Sequence, residues 1–168
     1  MPASKKAALY GILISLAFIF SYIESLFPVH LMIPGIKLGL ANLVSVVGLY
    51  TIGAPGTVCI SLIRIILSSL LFGAGFSSML YGLTGGILSL TIMILCKKYR
   101  LFSQTGISIL GGVAHNFGQL LAAAVVLNGS VFVYFPALLI AGTAAGACIG
   151  ILGGIITERI QKYVTKLS

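Results

Sequence analysis

Apolar residues run along this chain in long unbroken stretches, separated by short clusters of Gly, Pro and Lys. Six such stretches can be drawn, over 7–27, 38–52, 57–72, 79–96, 107–127 and 131–156. About 20 apolar residues cross the hydrocarbon core of a bilayer as one helix. The pattern therefore predicts an all-α polytopic membrane protein, a single domain of six transmembrane helices over 1–168. The second and third stretches are short, and Gly53-Ala54-Pro55-Gly56 separates them. A proline flanked by glycines favours a helix hairpin there over one continuous helix. The first stretch has no small-residue cleavage site and reads as a retained helix rather than a signal peptide. Between the first two stretches, 28–36 reads PVHLMIPGI. It is too apolar for an open loop and too broken by Pro28, Pro34 and Gly35 for a helix. A cap over the outer mouth or a re-entrant segment fits, because irregular backbone at membrane depth needs protein or water around it.

Composition strengthens this picture. Hydrophobic residues make up 59% of the chain and charged residues 7%, with a mean hydropathy of +1.18. A soluble domain carries roughly 25% charged residues to face water. Ten Lys and Arg stand against two acids, Glu24 and Glu158, and there is no Asp. The basic residues lie between apolar runs rather than on a polar face, which points to the positive-inside rule and away from nucleic acid. Six spans with the N-terminus inside put Lys5, Lys6, Lys97, Lys98, Arg100, Arg159, Lys162 and Lys166 on the cytoplasmic side. Five spans would break that rule, so both termini are expected in the cytoplasm. Lys37 and Arg64 are the exceptions.

The shortage of acids excludes carboxylate-pair hydrolysis, two-metal sites and Asp-rich diphosphate–magnesium sites. Cys59, Cys96 and Cys148 form no CxxC pair and read as reduced, apolar helix residues. No GxxxxGK[ST], HExxH or GxSxG motif occurs. No catalytic residue, metal or cofactor is expected, and the chain does not read as an enzyme.

Small residues are ordered. Gly142, Gly146, Gly150 and Gly154 recur at four-residue spacing in the last stretch, and Gly82 and Gly86 do so in the fourth. Ala3, Ala7, Gly11 and Ser15 form a similar line in the first. Such lines let helix backbones approach closely inside a membrane. Packing within the bundle accounts for the last-span ladder; for the first-span line, internal packing and a partner surface are both open.

Seven polar residues, Glu24, Lys37, Asn42, Arg64, His115, Asn116 and Gln119, fall in the outer half or the midplane of the predicted spans. The inner halves are nearly featureless, which suggests a pocket opening outward rather than a channel. An Arg at the bilayer centre costs about 2.5–3.5 kcal/mol on insertion scales, so Arg64 needs a partner. Glu24 is a candidate charge partner; a ligand anion is the other. His115 and Gln119 share one helix face, with Asn116 beside them. They could bind a polar ligand or lock helices together, and Lys37 could serve a pocket mouth or merely reach the interface. As a pocket, the cluster expects a carboxylate or phosphate.

The stretch Pro34-Gly35-Ile36-Lys37-Leu38-Gly39-Leu40-Ala41-Asn42, together with Arg64 and His115-Asn116-Phe117-Gly118-Gln119, resembles a bacterial membrane family. That family is labelled Gx transporter and also heptaprenyl diphosphate synthase component I. The resemblance runs over most of the chain, roughly 7–156. The family is in turn similar to the substrate-binding S-components of energy-coupling factor (ECF) importers, small six-helix proteins whose first external loop covers an outward pocket. The resemblance implies a location in the bacterial cytoplasmic membrane. It also implies a small-molecule substrate at Lys37, Asn42, Arg64, His115, Asn116 and Gln119. A transmembrane coupling subunit driven by two ATPase subunits would complete the importer. In S-components an AxxxA pair on the first helix contacts that coupling subunit; here Ala7 and Gly11 match, with Gly replacing the second Ala. The synthase label implies an alternative, a non-catalytic membrane subunit or carrier in polyprenyl diphosphate or quinone metabolism.

Overall fold

The computed structural model describes residues 3–26, 39–72, 75–127 and 130–166. It is an all-α bundle, with no strand among the described residues. Six helices follow in order: α1 (Ala3–Leu26), α2 (Asn42–Thr51), α3 (Ala54–Phe72), α4 (Phe76–Lys98), α5 (Gln104–Val126) and α6 (Phe135–Lys166), with a 3-10 turn, Ser130–Tyr134, before the last. Five are long and apolar enough to cross a membrane. The exception is α2. Its ten residues rise about 15 Å, half the thickness of a hydrocarbon core.

The reason lies at the start of α2. Gly39 has φ +84°, a left-handed conformation that breaks the helix run expected from residue 38. The Asn42 N–H then donates to Gly39 O at 2.8 Å and the Leu43 N–H to Leu40 O at 3.0 Å. Helix begins only after that turn. At its other end, Gly53 has φ +83° and donates its N–H to Gly48 O at 3.1 Å. Pro55 occupies the first turn of α3, where its missing N–H costs nothing. The hairpin expected at Gly53–Gly56 is thus present.

The short helix is anchored at its C-terminus. Lys97, at the end of α4, donates from Nζ to Leu49 O and stands 4.5 Å from the centre of the Tyr50 ring. Gln161, near the end of α6, donates to Tyr50 O at 3.3 Å. A cation at a helix C-terminus is favourable because unsatisfied carbonyls converge there. Gln104, at the start of α5, donates to Thr157 of α6 at 3.1 Å. One end of the bundle therefore gathers the C-termini of α2, α4 and α6, and with them Lys97, Lys98, Arg100, Arg159 and Lys162. Here Arg100 adopts φ +53°; its N–H reaches Lys97 O at 3.2 Å and that of Leu101 reaches Cys96 O at 3.1 Å. This is the Schellman arrangement, with arginine where glycine is the usual residue.

Glycine sets the packing of α5 on both sides. A methyl group at Gly146 of α6 would stand 2.7 Å from the Ile109 Cα, and one at Gly150 2.7 Å from the Thr105 Cα. Gly142 meets the Gly112 carbonyl in the same way, at 2.9 Å. On the opposite side, Gly118 would meet Thr84 O at 2.7 Å, and Gly85 would meet His115 O at 2.7 Å. Helix α5 is wedged between α4 and α6, backbone to backbone. The last-span ladder packs within the bundle as far as Gly150; Gly154 has open space around it.

Buried apolar side chains form two clusters. The larger, with Leu13, Val46, Leu49, Leu90, Met93 and Ile107, fills the end rich in basic residues. The smaller, around Tyr81, Leu120, Ala123, Val131 and Leu138, fills the other. Along α5 the two are separated by His115, Asn116 and Gln119.

Candidate functional site

Between those clusters lies a cavity of about 20 Å³ lined by Glu24, Gly39, Arg64, Ile65, Ser68, Ser69, Gly82, His115 and Gln119. Its volume takes one water-sized group and falls short of two. The lining comes from α1, α3, α4, α5 and the turn that opens α2.

Arg64 sits in the middle of α3 and is buried, with 7% of its surface exposed. Its position follows from its neighbour. Ile65 lies against Gly82 and Gly86 of α4, where a methyl group on Gly82 would stand 3.0 Å from Ile65 Cγ2. With α3 held this closely, the adjacent Arg64 faces the space between α1 and α5. Among the described residues Arg64 makes no ion pair, and its Nε is buried without a hydrogen-bond partner.

Glu24 lines the same cavity but acts on backbone. Its Oε1 accepts the Gly39 N–H and, at 3.3 Å, the Leu40 N–H. The carboxylate thereby holds the turn ahead of α2 against the end of α1, where Tyr22 packs on Phe72 of α3 with ring centres 5.3 Å apart. It is a neighbouring countercharge for Arg64, not a direct partner.

His115 and Gln119 are one helical turn apart, both buried, with Gln119 Nε2 2.9 Å from His115 Nε2. In this amide orientation the Gln119 NH₂ donates and the imidazole Nε2 accepts. Gln119 Oε1 is buried with no hydrogen-bond partner. Gly85 is what lets α4 reach this point: a methyl group there would stand 2.9 Å from Gln119 Cγ.

The other expected site residues divide. Asn42 is buried beside Gly39; a methyl group on Gly39 would meet Asn42 Nδ2 at 2.9 Å and His115 Cδ2 at 3.4 Å. Asn116 is not among the lining residues; its amide donates to Leu138 O at 2.8 Å and ties α5 to α6. Lys37, and the cover expected from 28–36, lie outside the described residues. Ala7 and Gly11 lie far along α1 from the cavity, both exposed, and Gly11 has nothing within 4 Å of an added methyl group. Ser15 donates to Gly11 O at 2.9 Å, closing the small-residue line on itself.

Ser68, Ser69 and Gly82 also line the cavity without having been singled out as site residues. The signal was present: Ser68 follows Arg64 by one helical turn and so shares its face. Its hydroxyl also bonds to Ile65 O, at 3.3 Å, as serines in membrane helices commonly do. Among the described residues no three His, Cys, Asp or Glu side chains come together as metal ligands.

No curated protein and no solved structure matches the chain. A family profile does, described as heptaprenyl diphosphate synthase component I, and its match over residues 13–156 makes the chain a member of that family.

Proposed function

We propose that the chain is a substrate-binding membrane subunit that captures a small anionic molecule, acting with a coupling subunit and ATPases of the ECF type. The observation that carries this reading is Arg64: a buried guanidinium at mid-helix, outside any ion pair among the described residues, facing a cavity it shares with Gln119 and His115. A buried charge is expensive unless something offsets it. A bound carboxylate or phosphate would do so, and the Ser69 hydroxyl offers it a further polar contact. Asn42 flanks this site and Lys37 belongs at its mouth; Asn116 contributes by holding α6 against α5. The bilayer is the bacterial cytoplasmic membrane, with the basic end and both termini inside and the cavity toward the outer half. The exposed Ala7–Gly11 line near the basic end is available to the coupling subunit.

The family's description favours a second reading, a non-catalytic membrane component serving polyprenyl diphosphate or quinone metabolism. In that reading the chain holds or carries a lipid anion and performs no chemistry, since two Glu and no Asp leave no magnesium–diphosphate site. Native mass spectrometry of the detergent-purified protein separates the two. A bound water-soluble acid is expected; a co-purifying prenyl phosphate would favour the lipid role. A reproducibly empty protein would count against both.

A further inference from the structure

The substrate reading can be narrowed, on the basis that the cavity is an anion site, by asking what the anion must carry besides charge. Arg64 has donors only. Gln119 differs. Its Nε2 is engaged by His115 at 2.9 Å, so its other end, Oε1, is the group turned away from the histidine. That oxygen is buried, on a residue with 1% of its surface exposed, has no partner, and belongs to a side chain lining the cavity. The two sides of the cavity therefore make opposite demands: a donor on α3 and an acceptor on α5, across a space of about 20 Å³. That space holds one water-sized group, so an anion of several heavy atoms is admitted only as α1 and α3 part around it.

We infer that the site selects anions whose head group also donates a hydrogen bond, a monohydrogen phosphate or a carboxylate bearing a neighbouring hydroxyl or ammonium. It discriminates against anions without a donor. The argument is one of desolvation. A donor-less anion would satisfy Arg64 and press its own lone pairs toward Gln119 Oε1, which would stay unpaired in a dry site. Leaving a buried acceptor unpaired weakens binding by about ten-fold or more, and acceptor–acceptor repulsion adds to that. In mildly alkaline buffer hydrogen phosphate and sulfate provide the cleanest contrast, since the two dianions share shape and charge while only the first keeps a proton. Glycolate and acetate provide a second. A monohydrogen phosphate could be a free anion or the head of a prenyl lipid; the recognition chemistry is the same.

The test is calorimetric titration of the full-length protein in nanodiscs with inorganic phosphate, sulfate, glycolate and acetate, in parallel for wild type and Arg64→Met. The expected result is that phosphate binds at least ten-fold more tightly than sulfate and glycolate at least ten-fold more tightly than acetate. Both signals should vanish in Arg64→Met, and Gln119→Met should bring sulfate within a few-fold of phosphate. These comparisons in wild type need no variant to fold. Binding lost in Arg64→Met but equal for sulfate and phosphate would overturn the donor rule while leaving the anion site standing. No Arg64-dependent binding of any of the four would overturn the anion site itself. Ethyl phosphate and geranyl phosphate, compared at about pH 5 where a phosphate monoester keeps its second proton, then identify the source. A large gain for the geranyl ester means a lipid-borne phosphate and equal affinities mean a soluble one, each with the donor rule intact.

Discussion

The two flanks of α4 are built differently. Toward α5, and beyond it to α6, helices meet backbone to backbone, with Gly85, Gly118, Gly142, Gly146 and Gly150 allowing approaches that a single methyl group would block. Toward α3 and α1, contact runs through side chains: Ile65 in the Gly82–Gly86 notch, Tyr22 on Phe72, and Glu24 gripping the turn before α2. The first flank has no room and no reason to move. The second is where the cavity lies and where Arg64 is held. In a membrane, lipid tails are as apolar as leucine, so close backbone packing replaces hydrophobic burial as the force that holds helices. The glycine-packed slab supplies a closely packed wall, and the α1–α3 flank holds the buried charge, on the side where the proposed ligand would enter.

The contrast can be broken most sharply at its glycines. Gly146→Leu should cost about 3 kcal/mol and yield little folded protein, because the added side chain meets Ile109 backbone that cannot give way. Gly11→Leu, a comparable change where nothing stands within 4 Å, should leave thermal unfolding in detergent within about 0.5 kcal/mol of wild type. If that variant also loses pull-down of ATPase partners, the Ala7–Gly11 face is a docking surface. An unchanged pull-down would remove the docking idea.

A smaller effect separates Asn116 from its neighbours. Asn116→Leu removes the bond to Leu138 O and should destabilise by about 1 kcal/mol, in the range of hydrogen bonds between membrane helices. Ligand binding should survive it, whereas Gln119→Met should alter binding. Equal loss of binding in both would mean that Asn116 also touches the ligand.

Much of this architecture is readable in the residue pattern, and the misses have physical causes. Apolar run length located the helices, and Gly53-Ala54-Pro55-Gly56 located the hairpin, because proline and glycine act on backbone locally. The four-residue glycine line identified the face of α6 that meets α5, but periodicity carries no information on where a partner helix ends, so Gly154 looked like its three predecessors. The shortness of α2 was hidden because hydropathy counts side chains, whereas Gly39 ends the helix through its backbone. In the site, Arg64, His115 and Gln119 stood out because polar groups in apolar spans are costly. Whether Arg64 and Glu24 formed a pair was undecidable from spacing alone; it depends on where Glu24 finds its backbone N–H donors. Asn116, adjacent in sequence to His115, points about 100° round the helix from it, toward α6.

The smallest change lies far from the cavity. Arg100 holds a left-handed conformation that glycine adopts without strain. Arg100→Gly should therefore be neutral or stabilising by up to about 1 kcal/mol, a sharp contrast with Gly146→Leu. Marked destabilisation would mean that the arginine side chain itself anchors the basic end.

The central claim is that Arg64 is retained for a ligand anion rather than for a structural ion pair with Glu24. It is tested most directly by thermal unfolding of Arg64→Met, with and without added phosphate. The account predicts an unfolding temperature at or above that of wild type without phosphate, because a buried charge outside any ion pair has been replaced by an apolar side chain of similar length. It also predicts that the upward shift phosphate gives wild type will be absent. Destabilisation by about 3 kcal/mol or more, the expected consequence of stranding a paired carboxylate, would contradict it, as would an undiminished phosphate shift.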